Sequence, residues 1–189
     1  QIGRKFFNPK AAHQVQGHNC EVWPGYEARL NMKELGVLLN VDVAHRVVRK
    51  ENMLTILNDI KNEASRKGQD FKQEVGEKIG GSIVVTSYNN RTYRVERVDY
   101  ENSPSSTFDK NGEQISYAEY YKTRYQKTVT DMNQPLLINK DRRTGAEIAL
   151  IPEFCCPTGL TDAMRANFNL MKEMAKITHI DANRNAKTC

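Results

Sequence analysis

The chain is poor in the residues on which most catalytic and metal sites depend. Its four histidines, His13, His18, His45 and His179, are scattered. Its four cysteines stand at 20, 155, 156 and 189, with no C-x-x-C pair among them. Adjacent cysteines seldom bridge each other, so the pattern argues against a disulfide framework or a zinc site and suits reduced intracellular thiols. No G-x-x-x-x-G-K-[ST] or G-x-G-x-x-G occurs, which removes the common phosphate-cradling loops. No apolar run approaches the length that spans a bilayer. No signal peptide is expected, because Gln1-Ile2-Gly3-Arg4 has no apolar segment behind it.

Acidic groups do not fill the gap. Asp99, Glu101, Asp109, Glu113 and Glu119 form no motif, whereas a two-metal nuclease needs carboxylates converging on ions about 4 Å apart. A serine or cysteine nucleophile needs a histidine base. All four histidines lie outside the stretch where the chemistry is concentrated. The expectation is a binding protein with no metal and no cofactor.

That stretch is Tyr88 to Tyr125. It holds seven of the eight tyrosines together with Phe108, interleaved with Arg91, Arg94, Arg97, Lys122 and Arg124. Aromatic rings stack on unpaired bases, phenolic hydroxyls donate to phosphate oxygens, and guanidinium groups grip phosphates in a bidentate way. Any one of these tyrosines can equally be a half-buried core residue with a wet tip. The cluster, with its interleaved arginines, favours binding. A net charge of +5 allows a nucleic acid as partner without requiring one. The hydrophobic fraction of 39% and charged fraction of 27% suit a globular protein, and 189 residues suit one domain plus a substantial extra element.

The chain in order predicts an α+β protein. RKFFNP (4–9) reads as a short strand. CEVWPGYEARL (20–30) carries Trp23 and Tyr26 as anchors of a small sheet, and 36–48 alternates like paired strands. His45 reads as structural. Met53, Leu54, Ile56, Leu57 and Ile60 give a helical face, 64–69 a polar break, and Phe71, Val75 and Ile79 a second helix ending at Gly80-Gly81, the expected domain boundary. Strands are expected over 82–87 and 92–98, joined by a tight turn at Asn89-Asn90. The segment 103–114 is turn-rich, and 115–122 is a short helix that would place Tyr117, Tyr121 and Tyr125 on one face. Strands follow at 134–138 and 148–155, the second broken at Pro152, with a charged loop (139–147) between them. Thr161 caps a final helix whose core stripe is Met164, Phe168, Met171, Met174 and Ile177.

Several runs, in this order and spacing, resemble the PAZ domain of a Piwi-clade Argonaute. They are YNNRTYRV (88–95), STF (106–108), YAEYYKTRY (117–125), DMNQPLLI (131–138), LIPEFC (150–155) and TGLTDAMRANFNLMKEMA (158–175). Upstream, GRKFFNP (3–9), WPGY (23–26) and DVAHRVVR (42–49) resemble the linker that precedes PAZ in Piwi proteins. The resemblance implies a linker segment over 1–79, PAZ over 80–180 and a loose tail over 181–189. The implied PAZ fold is a small open β-barrel, related in shape to OB and SH3-like barrels. A hairpin-plus-helix appendage from about Tyr100 to Tyr125 closes over its cleft. The implied partner is the 3′ end of a single-stranded guide RNA, a piRNA with a 2′-O-methylated terminal ribose. The other Argonaute domains of a cytoplasmic silencing protein are further partners. Slicing in the family belongs to another domain, so this segment should bind and not cut.

Carried over by position, Arg91 and Tyr93 match residues that contact the phosphates near the RNA end. Phe108 matches the aromatic wall of the appendage. Tyr120 and Tyr125 match phosphate-gripping tyrosines, with Arg124 at a basic position. Tyr121 is the second ring of the Tyr-Tyr pair, and Ile151 matches an apolar residue packing on the terminal sugar. A lysine that the Argonaute clade carries a few residues before that strand is here Glu147, or is shifted by the longer 139–147 loop, with Lys140, Arg142 and Arg143 as candidate substitutes, and Ala149 stands where some Piwi proteins carry a larger apolar residue. The competing reading is a small-barrel interaction module that grips a peptide in its aromatic cleft.

Overall fold

A computed structural model describes residues 5–34, 36–110, 112–141 and 144–179. It divides into two compact units, Gln1–Lys50 with Thr158–Cys189, and Glu51–Pro157. The expected tail over 181–189 lies outside the described residues, as do Arg142 and Arg143. The Gly80-Gly81 pair lies inside the second unit.

The first unit opens with β1 (Lys5–Phe7), β2 (His13–Gln14), β3 (Cys20–Lys33) and β4 (Gly36–Arg49). Residues 36–49 are one strand rather than a pair, and its partner is β3. The two run antiparallel in unbroken register from Cys20 opposite Arg49 to Lys33 opposite Gly36. No turn-forming pair interrupts 37–48, so the alternation seen in the sequence belongs to one long strand. Pro24-Gly25 does not break β3 either. The Pro24 carbonyl accepts from the Asn8 amide at 2.9 Å, and Gly25 lets β1 lie alongside, opposite Phe7. A Cβ at Gly25 would overlap the Phe6 carbonyl oxygen. Gly25→Ala is therefore expected to dislodge β1 and cost about 1–3 kcal/mol, as overpacking does. Urea denaturation should show this as a lower midpoint, with earlier proteolysis at Phe6-Phe7. An unchanged midpoint would remove the close-approach account.

Trp23 is buried, its indole N–H donating to Glu21 at 2.6 Å, and so anchors the sheet as expected. Tyr26 does not. It is half exposed and stacks on Phe6, ring centres 5.3 Å apart. His45 is half-buried, and burial and then neighbouring His13 hold its pKa below the usual imidazole value.

The second unit begins with α1 (Met53–Lys67), which Asn52 caps by accepting from the Thr55 amide at 2.8 Å. The helix continues to Lys67, so the expected polar break over 64–69 begins only at Gly68. Ala64 is buried on its inner face, Glu63 pairs with Lys67, and the basic last turn suits a helix C-terminus. Gly68, at φ 66°, ends it. Helix α2 (Phe71–Ile79) follows as expected, capped by Asp70. Then come β5 (Ile83–Thr86), β6 (Thr92–Arg94) and β7 (Arg97–Asp99). The turn at Asn89-Asn90 forms, with Asn90 at φ 54°.

The single strand expected over 92–98 is two. Val95, fully buried, still hydrogen-bonds the β5 side through its amide to Ser82 at 2.9 Å. The next amide, Glu96, donates instead to Ile138 at 2.8 Å. The chain thus changes sheets within one residue, so neither face of 92–98 could read as cleanly apolar.

The segment expected to be turns contains a hairpin, β8 (Thr107–Lys110) with β9 (Glu113–Ser116), leading into α3 (Tyr117–Tyr125). Ser116 caps α3, and Gln126 ends it at φ 55°. Next come β10 (Leu136–Lys140) and β11 (Glu147–Leu150), a 3₁₀ turn at Pro152–Phe154, and β12 (Cys155–Pro157). The orders are β12-β5-β6 and β11-β10-β7, two three-stranded sheets. The hairpin and α3 form the appendage that the resemblance implied. A closed barrel does not form among the described residues. One cluster, including Met53, Leu57, Val75, Val84, Val95 and Leu137, joins both helices to the strands.

The remaining elements of the first unit are α4 (Asp162–Ala166) and α5 (Phe168–Thr178). Thr161 caps α4 as expected, but the final helix is broken. Asn167 accepts from the Leu170 amide at 3.1 Å and so starts a new helix. The break turns the apolar face. Leu170 and Met174 are buried with Val15, Cys20 and Val22, whereas Phe168 is 77% exposed and Met171 38%. The stripe as expected therefore holds only in part.

Candidate nucleic-acid interface

The aromatic stretch is brought together at the end of the second unit where β5, α3 and the Pro152–Phe154 turn meet. Helical spacing puts Tyr117, Tyr120, Tyr121 and Tyr125 on adjoining turns of α3. Tyr121 points inward and is 3% exposed, among Leu136, Ile138, Ile151 and Phe154. Its ring stacks on Phe154 at 5.6 Å and meets Tyr88 edge-on at 5.1 Å. The hydroxyls of Tyr88 and Tyr121 lie 3.2 Å apart and share a hydrogen bond. Tyr125 lies over Tyr88 with ring centres 4.2 Å apart, and Tyr120 meets Tyr125 edge-on at 6.0 Å.

The hairpin supplies the outer wall. Phe108 on β8 stacks on Tyr117 at 4.7 Å and meets Tyr120 edge-on at 5.5 Å. The Lys110 ammonium sits 5.0 Å from the centre of the Tyr120 ring. Behind the cleft, buried Gln134 joins two segments. Its side chain donates to the Asp131 carbonyl at 2.8 Å and to Glu153 at 3.1 Å, and accepts from the Glu153 amide at 3.0 Å. Glu153 also accepts from the Thr130 amide and hydroxyl.

The eight residues singled out from sequence do not all sit alike. Tyr120, Tyr121, Tyr125 and Ile151 share one cluster, and Phe108 adjoins it through Tyr120. Ile151 is fully buried, level with Tyr121 rather than at the surface. Tyr93, on β6, packs partly against the helix-lined core instead, although its hydroxyl still contributes to raising the pKa of Tyr88 and Tyr125. Arg91, after the Asn89-Asn90 turn, and Arg124, on α3, are exposed. Neither forms an ion pair among the described residues, and both guanidinium groups are available to an anion.

Burial, chiefly, pushes the Tyr88 and Tyr121 hydroxyls above the usual phenol value. Burial and then the Tyr120 hydroxyl raise Tyr125. The Tyr88 and Tyr121 hydroxyls are spent on each other, whereas the Tyr125 hydroxyl, kept protonated, can donate to a phosphate oxygen. Glu147 is paired with Arg97 at 2.9 Å. That pairing neutralises it. Ala149 is half-buried, its carbonyl 3.5 Å from the Tyr121 hydroxyl.

Tyr88 and Phe154 were not among the expected site residues. Tyr88 had a signal, since it opens the aromatic run at the end of a strand. Phe154 had little, because only the 3₁₀ turn after Pro152 brings its ring under Tyr121. Among the described residues, no group of three or more His, Cys, Asp or Glu is placed to hold a metal ion. No helix among them is long and apolar enough to cross a membrane.

Comparisons with known proteins agree on what this geometry is like. The PAZ domain family matches residues 54–181, and the Argonaute linker 1 domain matches residues 1–50. Piwi-like protein 1 of Gallus gallus is 38% identical over 186 residues, covering 95% of this chain and 21% of that protein. Piwi-like protein Ago3 of Bombyx mori is 41% identical over 195 residues, covering 97% of this chain and 21% of that protein. The crystal structure of Drosophila Piwi matches with a TM-score of 0.61 at 33% identity, covering 99% of this chain and 22% of that one. The chain thus spans about a fifth of the length of the curated relatives it matches.

Proposed function

Because the chain belongs to the PAZ domain family, as the linker 1 and PAZ segment of a Piwi-like Argonaute, we propose that its aromatic cleft holds the 3′ end of a single-stranded guide RNA. The observation that carries this reading is the ring cluster of Tyr88, Tyr120, Tyr121 and Tyr125, with the exposed guanidinium groups of Arg91 and Arg124 on the same unit. Tyr120 and Tyr125 grip the last phosphates, Phe108 walls the terminal base, and Arg91, Tyr93 and Arg124 neutralise the strand behind it. Tyr121 and Ile151, buried beneath these rings, back the apolar floor on which the terminal ribose rests. An apolar floor tolerates a methyl group better than it tolerates an unpaired hydroxyl. The guide is accordingly read as a piRNA with a 2′-O-methylated end. The two three-stranded sheets are read as halves of an open barrel of the OB-like kind. The protein is placed in the cytoplasm, with the other Argonaute domains as its partners. The catalytic domain of the family is not in this chain, so the segment binds and does not cleave.

The test is a titration with three short RNAs of one sequence. One ends in a free ribose, one in a 2′-O-methyl ribose, and one is circular. The methylated strand should bind most tightly and the circle weakly. The affinity should fall with salt at a log–log slope of about −0.7 per phosphate neutralised. Equal binding of the circle would overturn end recognition. Equal or weaker binding of the methylated strand would leave an end-binding site without the methyl preference. No RNA binding at all would favour a peptide-gripping module.

A further inference from the structure

Beyond Tyr26, which stacks on Phe6, the β3–β4 ribbon carries an apolar face that no described residue of its own unit covers. Residues directly opposite in an antiparallel pair share a face. Leu30 opposes Leu39, Met32 opposes Val37, and Tyr26 opposes Val43, while Val41 opposes Ala28. Ala28 apart, which is half-buried, their exposures run from 49% at Tyr26 and Val43 to 85% at Met32. The alternate positions make the other face, which is largely polar and already satisfied. Arg29 donates to Glu27 at 2.8 Å, and Asn40 donates to Asp42 at 3.1 Å. Single exposed apolar residues are ordinary, but an unbroken stripe of this kind backed by a polar face marks a covered surface.

The dimensions say what covers it. Two strands at about 4.8 Å spacing present a face about 10 Å wide, the diameter of one helix. From Tyr26 to Met32 the stripe runs about 20 Å, which about 14 residues of helix would cover. An added edge strand would satisfy the ribbon's free backbone groups and leave the stripe exposed, so a strand does not fit the need. The ribbon lies in the region matched by Argonaute linker 1, and the Drosophila Piwi structure aligns with nearly all of this chain over about a fifth of its own length. We propose that the apolar face of the β3–β4 ribbon is the docking surface for an amphipathic helix contributed by the same polypeptide outside residues 1–189. Its anchors would recur at three- and four-residue spacing, without charge on the docked side, because the ribbon face offers none.

Met32 is the built-in probe, since an exposed methionine oxidises readily and a covered one does not. Dilute peroxide would be applied to residues 1–189 and, separately, to the purified full-length protein. Met32 sulfoxide would be followed by peptide mass spectrometry. Oxidation in the full-length protein should be at least about tenfold slower. A photo-crosslinking phenylalanine analogue at Leu39 should capture a peptide outside 1–189, with captured residues three and four apart. Leu30→Asp should restore fast oxidation in the full-length protein, whereas Asn31→Asp, on the polar face, should not. Equal oxidation in both proteins overturns the proposal. So does protection of the fragment that grows with its concentration, which would mean a second copy of the ribbon. Capture of a peptide with strand-like alternate spacing overturns it as well.

Discussion

Tyr121→Ala is expected to destabilise the second unit by about 3–5 kcal/mol, the range for truncating a large buried ring. Tyr121 is the hub of its cluster. Its ring touches Tyr88, Tyr120, Tyr125 and Phe154, and only 3% of it is exposed. Removing it opens a cavity between α3 and the Pro152–Phe154 turn and leaves the Tyr88 hydroxyl without its partner. The appendage then loses its anchor to the sheet carrying β10 and β11. Tyr121→Phe keeps the ring and loses the hydroxyl's bonds to Tyr88 and, at 3.5 Å, to the Ala149 carbonyl, so it should cost only about 0.5–1.5 kcal/mol. Urea denaturation of both variants separates the two contributions. A loss below about 1 kcal/mol for Tyr121→Ala would mean that the helix is not held by this ring.

The joint replacement of Tyr120 and Tyr125 by alanine should act on binding instead. Both rings are half-buried at the edge of the cluster, so the fold should lose less than it does with Tyr121. If each ring contributes about 1–3 kcal/mol to holding a nucleotide, the pair should weaken the RNA complex by about 30-fold or more. Tyr→Phe at both positions keeps stacking and removes the phosphate donors. Its loss should be smaller and should reduce the preference for a free 3′ end. The decisive comparison is between affinity and stability in the same variants. An unchanged affinity with the fold intact would sink the pocket assignment. A matched loss of stability and affinity would make these residues structural.

Much of the site was legible because tyrosine is rare enough elsewhere, with only Tyr26 outside 88–125, for its concentration there to stand out. Helical spacing placed Tyr121 and Tyr125 on neighbouring turns correctly. Depth was not legible. Tyr120 and Tyr121 are adjacent in sequence, yet one lines the cleft and the other is core, which depends on where β10 and the 3₁₀ turn lie. The hairpin at 107–116 was hidden by its composition, since Ser, Asp and Asn mark turns whether or not strands flank them. The break at Asn167 was hidden because its neighbours keep helical periodicity across it. Ribbon length was concealed by Pro24-Gly25, a turn signal that here serves a close backbone approach. Resemblance to a family supplied the appendage, which the local pattern alone had given as turns.

The switch at Val95 bears on how the second unit comes apart. One short run of chain is stitched to β5 by the Val95 amide and to β10 by the next amide. Neither sheet can open at that point without pulling on the other. Partial opening confined to one sheet is therefore disfavoured, and the amides of β5, β7 and β10 should exchange with deuterium as a single cooperative block. The hairpin β8–β9 has no such stitch into either sheet and would exchange earlier. The molecule would thus present a rigid frame and a looser flap, distinguished by opening free energy rather than by sequence.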